Sequence, residues 1–500
     1  MSLSSQQSAY RQIFKATSLF GGVQLFGVII GIVRVKFVAI LLGATGVGIM
    51  GLLNAPINLI VSLTGLGIAI SAVRNISEAQ GTGDCTKFAS VVKMLRRWAW
   101  ITGLFGAVVT AICAPLLSRF SFGNTEYSWA FVWLSVTLLF QSLSKSQSAL
   151  LQGTRNLKEM AKANVVGAFV GLLISLPLYY VYGLKGIVPA IIISSLISLL
   201  LTKYFTSKIE IVAVEQSYRE TIHSGMGMVK LGVFMTLSGF TGALAAYILD
   251  AFIRKHGGIE QVGLYNAGWG IVAQYVGLIF TAMATDYYPR LSAIHTDIEK
   301  LKTTVRQQAE TAIYIMTPLL ALMIITMPWI VKLLYTSAFL PVVLFANLTV
   351  LGMSLRAVSW AMGYVYLAKG EGRLFFYVEI FSGLILILLN LGCYYLFKLE
   401  GLGYSFILTN IYGILLNYFL LKRKYGFTLP WSFFKIFAIT YLLCIASFAT
   451  TYIESTFYRY FVGIVVFVLS SLFCLYHLNR VMDLKSFFQK YADKFKNAVR

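Results

Sequence analysis

Four basic residues stand where a helix crossing lipid ordinarily carries none: Arg34, Lys36, Lys145 and Arg356. Each lies inside a long apolar stretch, and such a group near mid-bilayer costs roughly 2.5–3.5 kcal/mol on insertion scales. A chain that keeps them is expected to face them onto a wet cavity. Their chemistry suits an anion with several acceptor oxygens. Arginine offers a planar fork for phosphate or carboxylate, and lysine offers a compact point charge. Acidic counterparts are few. Asp250 and Asp286 are candidates for ion coupling or an internal ion pair, for example Asp250 with Arg34, and Glu379 lies close enough to the inner surface to snorkel.

The neighbours of these residues recur at helical spacing. Thr17, Gly21, Gln24, Gly27, Gly31 and Arg34 fall at three- to four-residue steps, as do Gln141, Lys145, Ser148 and Gln152. A third stripe holds Thr349, Gly352, Arg356, Ser359 and Gly363, and a fourth runs from Gly232 to Asp250. Asn54 and Asn58, with Asn266 and Gln274, add amides suited to sugar hydroxyls. Lys36 is two residues off the Arg34 face, so it is a candidate both for the cavity and for snorkelling to the outer interface. A packing seam is the competing reading of any one stripe, because small residues let helices approach and amides bond across them. A buried basic group in each half of the chain favours function. Spans 3, 6 and 13 read as apolar on nearly every face.

The elements that must position these residues are transmembrane helices. The hydrophobic fraction is 58%, charged residues make up 12%, and the mean hydropathy is +0.77. Apolar stretches near the ~20 residues that cross a bilayer recur from end to end. They lie at 16–41, 52–73, 98–118, 128–152, 162–182, 187–206, 229–253, 264–288, 310–334, 342–368, 374–397, 402–421, 432–453 and 459–478. The fold class is therefore an all-α integral membrane protein of about fourteen helices. Lipid offers no partner to a free backbone amide, and the runs are too long and uniformly apolar for a barrel.

The net charge of +22 would point a soluble protein toward nucleic acid, but here it sorts by loop. With a cytoplasmic N-terminus, thirty of the 41 Lys and Arg residues face inward and seven face outward. The positive-inside rule puts both ends in the cytoplasm. The five cysteines, an odd number with no CxxC, imply neither a disulfide framework nor a metal site. Span 1 is too long and too charged, with Arg34 and Lys36, for a cleaved signal.

The chain reads as an N-terminal lobe (1–206), a polar cytoplasmic linker (207–228), a C-terminal lobe (229–421), an added helix pair (422–481) and an amphipathic cytoplasmic tail (482–500). A shift of 215 residues aligns the start of each lobe without gaps: Lys15 meets Lys230, Gly43 meets Gly258, and Val47-Gly48 meets Val262-Gly263. Six helices per lobe make the repeat parallel, and transporters of this build place their site between the halves.

Residues 41–79, LLGATGVGIMGLLNAPINLIVSLTGLGIAISAVRNISEA, resemble the first-loop and second-helix signature of the multidrug/oligosaccharidyl-lipid/polysaccharide (MOP) flippase superfamily, polysaccharide-export branch. QVGLYNAG (261–268) and YYPRLS (287–292) are similar to the O-antigen translocase (Wzx-type) pattern. The resemblance implies a V-shaped pair of pseudo-symmetric six-helix lobes around a central cavity lined by helices 1, 2, 7 and 8, with 4 and 10 contributing. GIVR, ending at Arg34, is similar to the GFVR of the peptidoglycan-precursor flippase, whose arginine lines the cavity. Where that family carries further arginine in its second half, this chain has Asp250. The added helix pair resembles the one that forms a lipid-tail groove in that flippase.

The expected function is to flip a polyprenyl-diphosphate-linked oligosaccharide, an O-antigen or related unit, across the bacterial inner membrane. Arg34, Lys145, Arg356 and Lys36 would hold phosphates or acidic sugars; Asn54, Asn58, Asn266 and Gln274 would bond sugar. Arg74 and Arg290, at the inner ends of spans 2 and 8, are inner-gate candidates. The partners expected are the lipid-linked glycan, membrane lipids, H⁺ or Na⁺, and other polysaccharide-assembly proteins; no cofactor and no nucleic acid are expected. A drug or cation antiporter of the same superfamily would want a buried carboxylate in the first six spans, and none is there. A membrane glycan polymerase would want a sizeable outward loop carrying catalysts, and the longest, 254–263, is short. No enzyme activity is expected. A non-transporting scaffold would need no buried charge.

Overall fold

A computed structural model describes the backbone of residues 3–482 and the side chains from Gly27 on. It leaves out the side chains at 70, 222–224, 227–228, 230–235, 237–238, 285–286, 289 and 481–482. The amphipathic tail beyond residue 482 and the side chains of Asp286, Thr17, Gly21 and Gln24 lie outside the described residues.

Among the described residues the protein is helical with no strand. Three helices carry a single non-helical residue at a turn, which folds each into two spans. They are α1 (Leu3–Thr64) at Gly43, α7 (Tyr218–Ala293) at Gly258 and α10 (Gly372–Tyr425) at Lys398. The others are α2 (Ile68–Gly81), α3 (Cys85–Phe122), α4 (Ser128–Gly153), α5 (Leu157–Tyr182), α6 (Ile187–Thr206), α8 (Ile298–Leu334), α9 (Val343–Ala368), α11 (Trp431–Ala449) and α12 (Thr456–Met482). Nine stretches among the described residues are long and apolar enough to cross a membrane, several of them holding two spans. Helix α4 is not one of them. Its serines, glutamines and Lys145 lower its hydropathy, as expected of a helix that turns a polar face away from lipid.

The kinks give the repeat a physical basis. Gly43 has φ 64° and Gly258 φ 84°, a backbone region that side chains with a Cβ rarely enter. The two turns they make meet: a Cβ on Gly48 would come within 3.0 Å of the Ile259 carbonyl, and one on Gly263 within 3.0 Å of the Ala44 carbonyl. Ala44 and Ile259, like Gly48 and Gly263, stand 215 residues apart, so the contact is reciprocal.

Span 2 differs from the uninterrupted helix expected over 52–73. Helix α1 stops at Thr64, the chain passes through Gly65, Leu66 (φ 48°) and Gly67 (φ 61°), and α2 starts at Ile68. Two glycines around one leucine weaken the helix there. The hydroxyls of Thr64 and Ser71 bond the flanking carbonyls of Ile60 (2.8 Å) and Ile68 (3.1 Å). Gly106 of α3 lets that helix pass against Thr64.

The chain forms two compact units. The first runs to Leu264 and takes in Leu334–Ala338. In it α4 packs along α3, α6 and α2, and a core of Ile68, Ile76, Leu95, Trp98 and Leu150 joins α2, α3 and α4. The stretch after α6 is strapped to this core. Ile209 and Ile211 pack on it, Lys93 donates to the Val214 carbonyl (2.6 Å), and Arg97 donates to the Ser217 carbonyl (2.9 Å) and Thr221 Oγ1 (2.6 Å). Trp98 Nε1 donates to the Thr221 carbonyl (3.3 Å). The second unit comprises Tyr265–Leu333 and the chain from Phe339 on. Its core joins Tyr287, Leu301, Ile313, Val365, Leu421 and Phe433, and Tyr287 OH donates to the Ala361 carbonyl (2.7 Å). The added pair docks through Trp329 Nε1, which donates to Tyr460 OH on α12 (2.5 Å), and through Gly463 against Ile325.

Asp84 caps α3 by accepting from the amides of Thr86 (2.8 Å) and Lys87 (3.1 Å). These bonds, with the Thr86 hydroxyl first among them, hold its carboxyl below the usual range. A depressed folded pKa stabilises fully above the unfolded value of about 3.9 and is lost as pH falls through the folded one. Amide exchange at Thr86 and Lys87 is therefore expected to stay slow at neutral pH and to rise there in Asp84→Ala, the difference closing as pH falls through the folded value.

Candidate functional site

The first unit encloses a polar cavity of about 480 Å³ between the first two spans, α4 and α6. Its walls are Arg34 from span 1; Met50 and Asn54 from span 2; Gln141, Ser144, Lys145 and Ser148 from α4; and Ile191, Ser194, Ser195 and Ser198 from α6. Residues 141, 144, 145 and 148 share one face because they step by three and four. Arg34 is half-buried and Lys145 is open to the cavity. Among the described residues, none in the wall is acidic. Two cations on facing helices, ringed by hydroxyls and amides, make a pocket for an anion that also carries hydroxyl groups.

The other polar faces of α4 serve packing. Ser142 donates to the Ala99 carbonyl of α3 (2.8 Å) and lies 3.2 Å from Thr102 Oγ1. On the α6 side, Ser144 lies 3.2 Å from Ser198 Oγ, and Thr202 donates to Gln147 Oε1 (2.7 Å). Ser142 and Gln147 lie beside the stripe and serve packing, while Gln141, Lys145 and Ser148 of the stripe line the cavity.

Arg34, Lys145 and Asn54 come together here, whereas Asn58 is exposed and is not in the wall. Lys36 donates to the Tyr335 carbonyl instead. Asp250 is buried, at 4% exposure. Arg74 is exposed. Asn266, Gln274, Arg290 and Arg356 belong to the second unit. There Arg356 is exposed, its guanidinium 5.8 Å from the centre of the Phe280 ring and in the field of Glu379. Arg290 Nη2 donates to Gln308 Oε1 (3.1 Å). The serine wall of α6 corrects the reading of span 6 as apolar. Ser194, Ser195 and Ser198 were visible as hydroxyls one turn apart in an aliphatic run. A serine hides easily there, because it can bond its own helix, as Ser195 does to the Ile191 carbonyl (2.9 Å).

A family model described as "Polysaccharide biosynthesis protein" matches residues 37–344, more than half of the chain. The chain belongs to that family. The matched segment holds Asn54 and the α4 and α6 walls and stops short of Arg34. No curated protein matches the chain. Solved structures share its fold. An inward-facing multidrug resistance MATE family transporter of the MOP superfamily aligns with a TM-score of 0.65 at 16% identity, over 80% of this chain and 96% of that one. Lipid II flippase MurJ, in an inward closed conformation, aligns with a TM-score of 0.63 at 15% identity, over 93% of this chain and 99% of that one. A MOP transporter from Pyrococcus furiosus, whose reversed binding-pocket polarity suggests a different function, aligns with a TM-score of 0.55 at 16% identity, over 81% and 94%. The fold is that of MOP-superfamily transporters, and the protein is a multi-pass membrane protein.

Proposed function

We propose that the protein is a flippase carrying a polyprenyl-diphosphate-linked oligosaccharide, an O-antigen or related surface polysaccharide unit, from the inner to the outer leaflet of a bacterial cytoplasmic membrane by alternating access. The observation that carries this reading is the cavity whose described wall is free of acid, with Arg34 and Lys145 among hydroxyls, in a chain of a polysaccharide biosynthesis family. A diphosphate and glycan cannot enter hydrocarbon unaided, because desolvating them is prohibitive. The two cations replace hydration of the phosphates or of acidic sugars; Asn54, Gln141 and the α6 serines bond sugar hydroxyls; the prenyl tail stays in lipid. Asn266, Gln274 and Arg356 play the same parts in the second half. An inside-negative potential assists, by about 2.3 kcal/mol per negative charge moved outward per 100 mV. A cation antiporter fits poorly, since cation pathways are marked by carboxylates and the described residues of the cavity wall include none.

Deletion of the gene tests the proposal. A lipid-linked glycan is expected to accumulate on the inner leaflet, and its chemistry identifies the cargo. Unchanged lipid-linked sugars with normal surface glycan would refute it.

A further inference from the structure

The outward ends of the two sequence halves are joined by two cation-to-carbonyl contacts that mirror one another. On span 1, Lys36 donates from Nζ to the carbonyl of Tyr335, one residue past the end of α8. Just past span 7, Arg254 donates from Nε to the Ser121 carbonyl (2.9 Å) and from Nη2 to the Phe120 carbonyl (3.1 Å), in the last turn of α3. Each half thus sends a basic side chain from its first span, or just past it, to the end of the other half's third. The accepting residues Phe120 and Tyr335 stand 215 residues apart, the offset that relates the two kinked turns. A helix end is where such a group binds best, because its last carbonyls lack partners and carry partial negative charge. Gly48 and Gly263 bring the same two turns into backbone contact. Neither Lys36 nor Arg254 lines the cavity.

We propose that Lys36 and Arg254 are the paired latches of an outer gate, and that both must release their carbonyls before the cavity opens outward. This rests on the alternating-access reading above. It gives both residues a conformational role rather than one in holding cargo. The two latches act on the same transition, so losing either biases the protein toward the outward-open state, and losing both adds to the bias.

The test places one cysteine in the cavity wall, Met50→Cys, after Cys85, Cys113, Cys393, Cys444 and Cys474 are replaced by alanine. A membrane-impermeant maleimide is applied from outside. Lys36→Met and Arg254→Met are each expected to raise the labelling rate roughly tenfold, the worth of one charged hydrogen bond. The double variant is expected to label faster still. Lys36→Arg and Arg254→Lys keep a donor and should label near the parental rate. Gly48→Ala and Gly263→Ala keep both cations but wedge the turns apart, and should also label faster; they carry the test if the methionine variants fail to accumulate. Parental labelling rates in the accumulating Met and Ala variants would overturn the proposal, as would equal gains in the Arg and Lys replacements. Glycan export is followed in parallel. Faster labelling in a protein whose deletion leaves lipid-linked sugars unchanged would sink the cargo assignment and leave the latch standing.

Discussion

Arg34→Glu is expected to abolish glycan export, with a loss of at least about 100-fold, while the protein still accumulates in the membrane. Among the described residues, Arg34 and Lys145 are the cations of the first-half cavity wall, and no acid there offsets them. At an effective dielectric of about 20, two unit charges 4 Å apart interact by about 4 kcal/mol. Reversing one charge removes an attraction for phosphate and adds a repulsion, and about 2.7 kcal/mol already corresponds to 100-fold. The half-exposed setting of Arg34 screens part of this, which is why the lower figure is given. Arg34→Lys keeps the point charge and loses the fork, so a loss of roughly tenfold is expected. Surface glycan in a deletion strain complemented with each variant is the measurement, normalised to protein in the membrane. Export at the parental level by Arg34→Glu would mean that the cavity is not on the path.

Arg356→Glu is expected to stop export to a similar extent, and the surrounding residues allow the cause to be separated. Arg356 lies in the field of Glu379 and near the Phe280 ring. If its task is to neutralise Glu379, then Arg356→Glu combined with Glu379→Arg should restore transport, and Glu379→Gln alone should be well tolerated. If its task is to meet an anionic cargo, the swapped pair should remain inactive. We expect the swapped pair to be inactive and Glu379→Gln to retain export within severalfold. Double-mutant comparison is the appropriate measure because residues in one another's field do not contribute additively.

The span pattern was legible because crossing lipid leaves a coarse signal of length and apolarity. The short turns were partly legible: Gly43 and Gly258 stood out as a repeated pair, but only the backbone shows that they mark the kinks and that Gly48 and Gly263 touch. Arg34, Asn54 and Lys145 could be placed on inward faces because charge and amide are rare in such helices. The α6 serines escaped because a hydroxyl that bonds its own helix costs little and so leaves little mark on hydropathy. The break at Gly65–Gly67 was hidden inside an apolar run, since glycine within such a run reads equally as a packing residue. Lys36 was read as a snorkelling group or a cavity ligand; its acceptor is a carbonyl roughly 300 positions away in sequence, which no local pattern encodes.

The described residues that line the cavity all come from a single half of the chain. A headgroup gripped only there keeps the same contacts whichever leaflet the mouth of the protein faces. Ligands move an equilibrium between two shapes only by preferring one of them, so this grip by itself sets no direction of traffic. Net flow must then come from whatever removes the glycan on the far side and from the electric field acting on its charge. Supplied with outer-leaflet cargo, no such drain and no membrane potential, the same protein should run backward as well as forward.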